Sequence, residues 1–281
     1  MKSIMIFGAG QAGSMILNWV SGDLEILGFI DNNPNLCGKY RDNIKIYSAK
    51  EAIEMTPSII VITVLNKEAA KEIEIQLKRL DYQGIVFNIN DFKKYIDLRL
   101  ASLRLIASEI NEKNLEGCVA ELGVYRGKFA VEINKLFPNK KLYLFDTFQG
   151  FFSQDIDIEK NHGYSRAKKG DFSDTSIELV KNKLPYKEQV VFVKGYFPES
   201  IKEDLPRFCF VSLDTDLYKP TYEGLKVFYP KLVKGGAIII HDYNSTQFPG
   251  VKKAVKEFCV ENNVFVVPLS DMHGSAVLIN N

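Results

Sequence analysis

The sequence predicts an α/β protein made of two doubly wound, mainly parallel sheets. Three observations carry this. Apolar, β-branched runs of strand length alternate with segments of helical periodicity along nearly the whole chain. The alternation starts afresh at about residue 115. The first strand of each half runs into a glycine-rich turn, FGAGQAG in one and ELGVYRG in the other, at the place where such sheets bind ligands.

The elements follow in order. KSIMIF reads as a strand and QAGSMILNWV as a helix, with Trp19 on its apolar side. LEILGFID is a second strand, NNPNLCGKYRDN a loop and IKIY a short strand. SAKEAIEM is a short helix with Ser48 as its N-cap. SIIVITV is a buried strand, NKEAAKEIEIQLKRL a helix and GIVFNI a closing strand. From Asp91 to Asn114 the pattern is helical, with Leu98, Leu100, Leu103, Leu105 and Ile106 as its apolar residues. The expected division is a domain over 1–92, a helical linker over 93–114 and a second domain over 115–281.

In that second domain GCVAELG, KLYLFDTF, QVVFVKG, FCFVSLD and GGAIIIHDY read as strands, with VFVVP and SAVLIN after them. KFAVEINKLF, SIELVKNKL, TYEGLKVFYPKL and VKKAVKEFCVEN are the intervening helices. The polar stretch from Gln149 to Asp171 interrupts the rhythm and carries Phe151, Phe152, His162, Tyr164 and Arg166. Its length and position suit a substrate lid, or else a disordered insertion.

Composition narrows the function classes. The chain has 281 residues, 46% of them apolar and 25% charged, with a net charge of +1. No field of one sign points to nucleic acid or an anionic membrane. The longest apolar runs are too short to span a bilayer, and the N-terminal one is broken at once by Gly8, Gly10 and Gly13, so the reading is cytoplasmic. Cys37, Cys118, Cys209 and Cys259 stand far apart, which fits free thiols better than disulfides or zinc. A homo-oligomer stays open.

The candidate chemistry lies in the second half. Glu121 ends the first strand there, and Gly123, Tyr125 and Gly127 form the turn after it. Asp146, followed by Thr147, ends the next strand, where a carboxylate can accept both hydroxyls of a ribose. Gly195 and Tyr196 follow the third strand; Tyr196 and Phe197 suit an adenine contact or the core. Asp214 and Asp216 follow the fourth strand, His241 and Asp242 the fifth, and adjacent strand ends bring them to one rim. Asp214 and Asp242 are hard oxygen ligands for Mg²⁺ or a similar ion, with helix N-capping as the plainer reading. Asp216 fits a capping or supporting role better than a ligand's. His162 and His273 read as ordinary polar residues.

The segments AELGVYRG, LYLFDTFQGF, GDFS, VVFVKGYFPES, VSLDTDLY, YPKLVKGGAIIIHDY and PGVKKAV, in this order from about Glu116 onward, resemble the macrocin O-methyltransferase (TylF) family. The resemblance implies a class I, Rossmann-like methyltransferase fold and S-adenosylmethionine as cofactor. It implies that Glu121 and Gly123 lie near the methionine part, that Asp146 holds the ribose, and that Asp214 and Asp242 bind a divalent metal such as Mg²⁺. The family usually carries two adjacent acids where this chain has His241–Asp242. A histidine there is a metal ligand less suited to Mg²⁺, or a general base.

The implied reaction is in-line transfer of a methyl group to a substrate hydroxyl, with Asp214 or His241 taking the proton. The resemblance favours a sugar or nucleotide-sugar substrate. The first half, MIFGAGQAGSMILNWV through LEILGFIDNNPNLCGKY, resembles N-terminal domains of nucleotide-sugar-modifying enzymes of polysaccharide synthesis and of sugar acyltransferases. By that resemblance Gly8, Gly10, Gly13 and Asp31 hold the nucleotide of a sugar substrate. The G-x-G-x-x-G spacing with Asp31 also fits an NAD(P)-dependent oxidoreductase, although no Tyr-x-x-x-Lys accompanies it, and a Rossmann-like domain that binds no NAD is the plainer reading. A methyltransferase fold retained only for binding is a third class, disfavoured by acids at every expected strand end.

Overall fold

The computed structural model describes residues 2–272 and 274–281; His273 lies outside the described residues. The chain divides into two compact units, Met1–Asp97 and Leu98–Asn281.

The first unit contains β1 (Ser3–Phe7), α1 (Gln11–Leu17), β2 (Glu25–Ile30), β3 (Tyr40–Arg41), β4 (Ile44–Tyr47), α2 (Ala49–Glu54), β5 (Ile59–Ile62), α3 (Lys67–Arg79), β6 (Ile85–Asn88) and α4 (Ile89–Tyr95). Its sheet runs β3-β4-β2-β1-β5-β6, parallel throughout except for the β3–β4 hairpin. Its first strand and its turn lie inside the stretch expected as a loop, and its second strand is the expected IKIY. Asp42 and Asn43 turn it with φ of 49° and 62°, the left-handed pair a type I′ turn requires. Ser48 caps α2 as expected: its hydroxyl accepts from Glu51 N, and the Glu51 carboxylate accepts from Ser48 N at 2.8 Å. Trp19 is half-buried, with its ring 5.9 Å from that of Phe92.

The second unit contains α5 (Leu98–Glu112), β7 (Cys118–Leu122), α6 (Lys128–Leu136), β8 (Leu142–Asp146), α7 (Ser153–His162), α8 (Ile177–Lys181), β9 (Val190–Lys194), β10 (Phe208–Leu213), α9 (Tyr218–Phe228), β11 (Leu232–Ile240), α10 (Pro249–Asn262), β12 (Val267–Pro268) and β13 (Ala276–Ile279). Its seven-stranded sheet is ordered β12-β13-β11-β10-β7-β8-β9. Both faces are covered. Ile238 and Ile240 of β11 enter one core while Ala237 and Ile239 enter the other, the two-residue period of a strand buried on both sides. β13 runs antiparallel to β11 and β12. The short link from β12 to β13 explains this, since a parallel neighbour needs a crossover of a dozen residues or more.

Helix α5, part of the stretch read as a linker, belongs to the second unit by its contacts. Leu103, Ala107 and Ile110 are buried in one of that unit's cores. The stretch from Gln149 to Asp171 contains helix α7, with Asp155 and Glu159 buried. All four cysteines are free thiols.

Candidate active site

The site forms where the chain reverses direction across the second sheet, with β7 flanked by β8 on one side and β10 on the other. A relay of backbone hydrogen bonds fastens the strand ends at this rim. Gly195 N donates to Asp146 O, Gly123 N to Phe145 O, Asp214 N to Leu122 O and His241 N to Leu213 O, at 2.8–3.0 Å. Residues far apart in sequence therefore emerge side by side.

Asp146 organises the turn after β7. Its Oδ2 accepts from Val124 N and Tyr125 N at 2.7 and 2.8 Å, and its Oδ1 from Phe148 N at 2.6 Å. Thr147 turns its hydroxyl back to Gly150 O at 2.9 Å. Gly123 has φ +87°, and a Cβ there would stand 1.9 Å from Asp214 O. Gly127 has φ +73°, and its Cβ would meet Val180 at 2.7 Å. Packing against the protein itself demands glycine at both positions. Gly195 also has a left-handed backbone, with φ +142°. Tyr196 donates its hydroxyl to Asp155 at 2.6 Å, tying the end of β9 to α7. Phe197 packs into the core against Phe145 and Phe228.

Glu121 is 1% exposed, and its Oε2 has no hydrogen-bond partner. Burial, followed by the charge of Asp214, pushes its carboxyl well above the usual range against the pull of Arg99.

Asp214, Asp216, His241 and Asp242 bring their ligand atoms within 4.8 Å of one another. His241 Nδ1 lies 2.9 Å from Asp214 Oδ1 and 2.7 Å from Asp242 Oδ2. Burial disfavours charge on this ring, but Asp214 and the hydrogen bonds to both acids outweigh it and raise its pKa to about 10. Asp214 is likewise opposed by burial, yet Arg99 and His241 hold it well below the usual carboxylate range. Burial and the charges of Asp214 and Asp242 push Asp216 well above it. Tyr125, Asp216 and Asp242 have φ of 47°, 60° and 56°. Non-glycine residues held in that region tend to gather at functional sites.

Arg99 is a site residue that sequence reasoning missed. From α5 it reaches Asp214 Oδ2 at 2.9 Å, with its guanidinium carbon 3.9 Å from the centroid of the Phe129 ring. A signal was available, because Arg99 shares the buried helix face with Leu103, Ala107 and Ile110. A cation on an apolar stripe needs a buried partner. Asp155 and Glu159 were missed as well. Glu159 accepts from Tyr218 N at 2.8 Å, so α7 is anchored to α9 rather than disordered.

Beside the rim lies a cavity of about 870 Å³. Tyr125, Tyr164, Arg166 and Phe172 line it, together with Thr246 to Pro249 of the segment following Asp242. His162 is exposed, and its Nδ1 lies 3.0 Å from Ile158 O.

In the first unit Gly8, Gly10 and Gly13 serve different ends. A Cβ on Gly8 would meet the Thr63 hydroxyl at 2.8 Å, and one on Gly13 would meet Gly8 O at 2.1 Å, whereas Gly10 has nothing within 4 Å. Asp31 Oδ2 accepts from Ala9 N at 3.0 Å and Oδ1 from Asn33 N at 2.8 Å.

The second unit, with its last strand antiparallel and its acids at the central strand ends, has the architecture of class I, Rossmann-like methyltransferases. Residues 95–280 match the model of the family Macrocin-O-methyltransferase (TylF), and the chain belongs to that family. Residues 1–85 match the family C2185-like, N-terminal. Curated relatives include demethyldecarbamoylnovobiocin O-methyltransferase of Streptomyces niveus, 26% identical over 176 residues, which cover 57% of this chain and 64% of that protein. Mycinamicin III 3''-O-methyltransferase of Micromonospora griseorubida is 30% identical over 175 residues, covering 57% of this chain and 67% of that one. The chain thus spans about two thirds of these relatives' length. The solved structure of the O-methyltransferase NovP aligns with a TM-score of 0.55 at 23% identity, covering 65% of this chain and 79% of that one. CalS11, a calicheamicin methyltransferase, aligns with a TM-score of 0.50 at 19% identity, covering 74% and 84%.

Proposed function

We propose that the protein is an S-adenosylmethionine-dependent O-methyltransferase that uses a divalent cation and acts on a hydroxyl of a sugar. The observation that carries this is the cluster of Asp214, Asp216, His241 and Asp242, at the same rim as buried Glu121 and Asp146. The relatives are named as O-methyltransferases of demethyldecarbamoylnovobiocin and, at its 3'' position, of mycinamicin III, which supports a hydroxyl-bearing small molecule as acceptor.

The residues fit both groups that this chemistry needs. Glu121 Oε2, buried and without a donor, suits the ammonium of the methionine part. Three carboxylates and one imidazole are a competent donor set for a divalent cation. S-adenosylmethionine supplies a methyl group already activated by its sulfonium. A bound cation supplies positive charge where a hydroxyl loses its proton.

The chain's own tasks are binding, orientation and proton removal. Glu121, Gly123, Tyr125, Gly127, Asp146, Thr147, Gly195 and Tyr196 form the wall assigned to the cofactor. The cavity beside Tyr125 receives the acceptor, and its aromatic side chains suit the faces of a sugar and its carrier. Asp214 is assigned the substrate proton, and His241, whose proton the two acids hold in place, accepts one only after that proton has left. Atoms balance as hydroxyl plus methyl donor giving ether, S-adenosylhomocysteine and a proton.

In the first unit, Gly8, Gly10, Gly13 and Asp31 are assigned to the nucleotide of a nucleotide-sugar. Gly10 favours this, since no side chain or backbone fills the space beside it. Calorimetric titration with S-adenosylhomocysteine and with NAD tests the main reading. Binding of S-adenosylhomocysteine supports it; tight NAD binding without S-adenosylhomocysteine binding overturns it in favour of an NAD(P)-dependent oxidoreductase. A Gly10→Val variant titrated with UDP-glucose tests the nucleotide assignment, which fails if neither it nor the parent protein binds.

A further inference from the structure

The position of His241 within its cluster has a consequence for which cation the site takes. Asp214 offers Oδ1 inward, because its Oδ2 is held by Arg99 at 2.9 Å. Asp242 offers Oδ2. His241 Nδ1 lies 2.9 Å from the first oxygen and 2.7 Å from the second. Neighbouring donors around a six-coordinate ion at about 2.1 Å stand about 3 Å apart. The nitrogen and the two oxygens therefore already stand at the spacing of adjacent ligands, and a cation held by both acids would take the place of the proton that Nδ1 now shares with them. Close by, the buried Glu121 Oε2 also lacks a donor, which adds to the demand for positive charge at this rim.

Resting on the methyltransferase reading, we propose that His241 is a metal ligand through Nδ1 and makes the site selective for an ion of the Mn²⁺, Co²⁺ or Zn²⁺ class over Mg²⁺. Magnesium favours a shell of oxygen donors and keeps several waters, while imidazole nitrogen suits the later first-row ions. One nitrogen among oxygens shifts the preference without excluding Mg²⁺. In this assignment the ring serves as a ligand rather than as the proton acceptor.

The test uses the full chain, stripped with chelator and reloaded with Mn²⁺ alone. Electron spin-echo modulation of the bound ion is expected to show coupling to a directly bound ¹⁴N nucleus. Competition titration is expected to give Mn²⁺ affinity at least about tenfold above that of Mg²⁺. His241→Asp should abolish the nitrogen coupling and lower the Mn²⁺/Mg²⁺ ratio about tenfold or more. His241→Asn, with circular dichroism of both variants, separates loss of a ligand from loss of fold. Absence of ¹⁴N coupling in the parent protein, or an unchanged metal ratio in a folded His241→Asp variant, overturns the proposal. Titration with S-adenosylhomocysteine on the same sample reports separately on the methyltransferase reading.

Discussion

The two glycine turns of this chain are built alike and are equipped differently. In the first unit Asp31 follows β2 and accepts from Ala9 N in the turn and from Asn33 N two residues on. In the second, Asp146 ends β8 and accepts from Val124 N and Tyr125 N in the turn and from Phe148 N two residues on. Each unit has a glycine whose absent Cβ leaves room for a carbonyl: Gly13 beside Gly8 O, and Gly123 beside Asp214 O. The acid at the second strand end is thus first a fastener of the turn, and its presence does not identify the chemistry. The difference lies at the strands on the other side of the switch. β5 ends in Thr63, whose hydroxyl caps Phe7 O at 3.1 Å. β10 and β11 end in the Asp214, Asp216, His241 and Asp242 cluster, the one such group found among the described residues.

The sharpest way to break this comparison is to disarm the second rim while leaving its frame. Asp214→Asn is expected to lower kcat by about 10²- to 10⁴-fold, the usual range for a group that moves a proton. The amide oxygen still accepts from Arg99, so S-adenosylhomocysteine binding should persist. A variant with full turnover would remove Asp214 from the chemistry.

Arg99→Leu comes next. It removes one of the two cationic partners of Asp214 in a largely buried place, and is expected to cost about 2–4 kcal/mol of stability. Urea unfolding measures this, and a change below about 0.5 kcal/mol would mean that the pair is replaced by solvent.

Gly13→Ala and Gly123→Ala form a matched pair. Each should cost about 1–3 kcal/mol, because the added methyl overlaps a backbone carbonyl. Limited proteolysis should reveal loosening in the mutated unit only. Gly13→Ala should leave S-adenosylhomocysteine binding intact, and loss of that binding would contradict the assignment of chemistry to the second unit.

Asp31→Asn should have the smallest effect, about 1 kcal/mol of stability from weakened turn hydrogen bonds, with kcat unchanged in a turnover assay and any loss confined to the KM for a nucleotide-sugar.

Much of this architecture was readable in the sequence. Strand and helix periodicity, the Ser48 cap and the glycine turns depend on neighbours within a few residues, so local physics is enough to infer them. The same holds for the acids at strand ends, since a parallel sheet brings successive strand ends to one rim. The strand before the Asp42–Asn43 turn was also legible in principle, but two residues carry too little pattern to stand out from a loop.

The rest depends on contacts between distant segments. Arg99 and Asp214 are 115 residues apart, and only the docking of α5 against the second sheet brings them together. Tyr196 and Asp155 turn a polar insertion into an anchored helix in the same way. The sequence places His241 beside Asp242 but says nothing of where its ring points. That direction follows from the register of β10 against β11, which aims Nδ1 between two carboxylates. Hydrophobic pattern reports which face of an element is buried; what a buried charge meets there is decided by the partner element, and that information is spread over the whole fold.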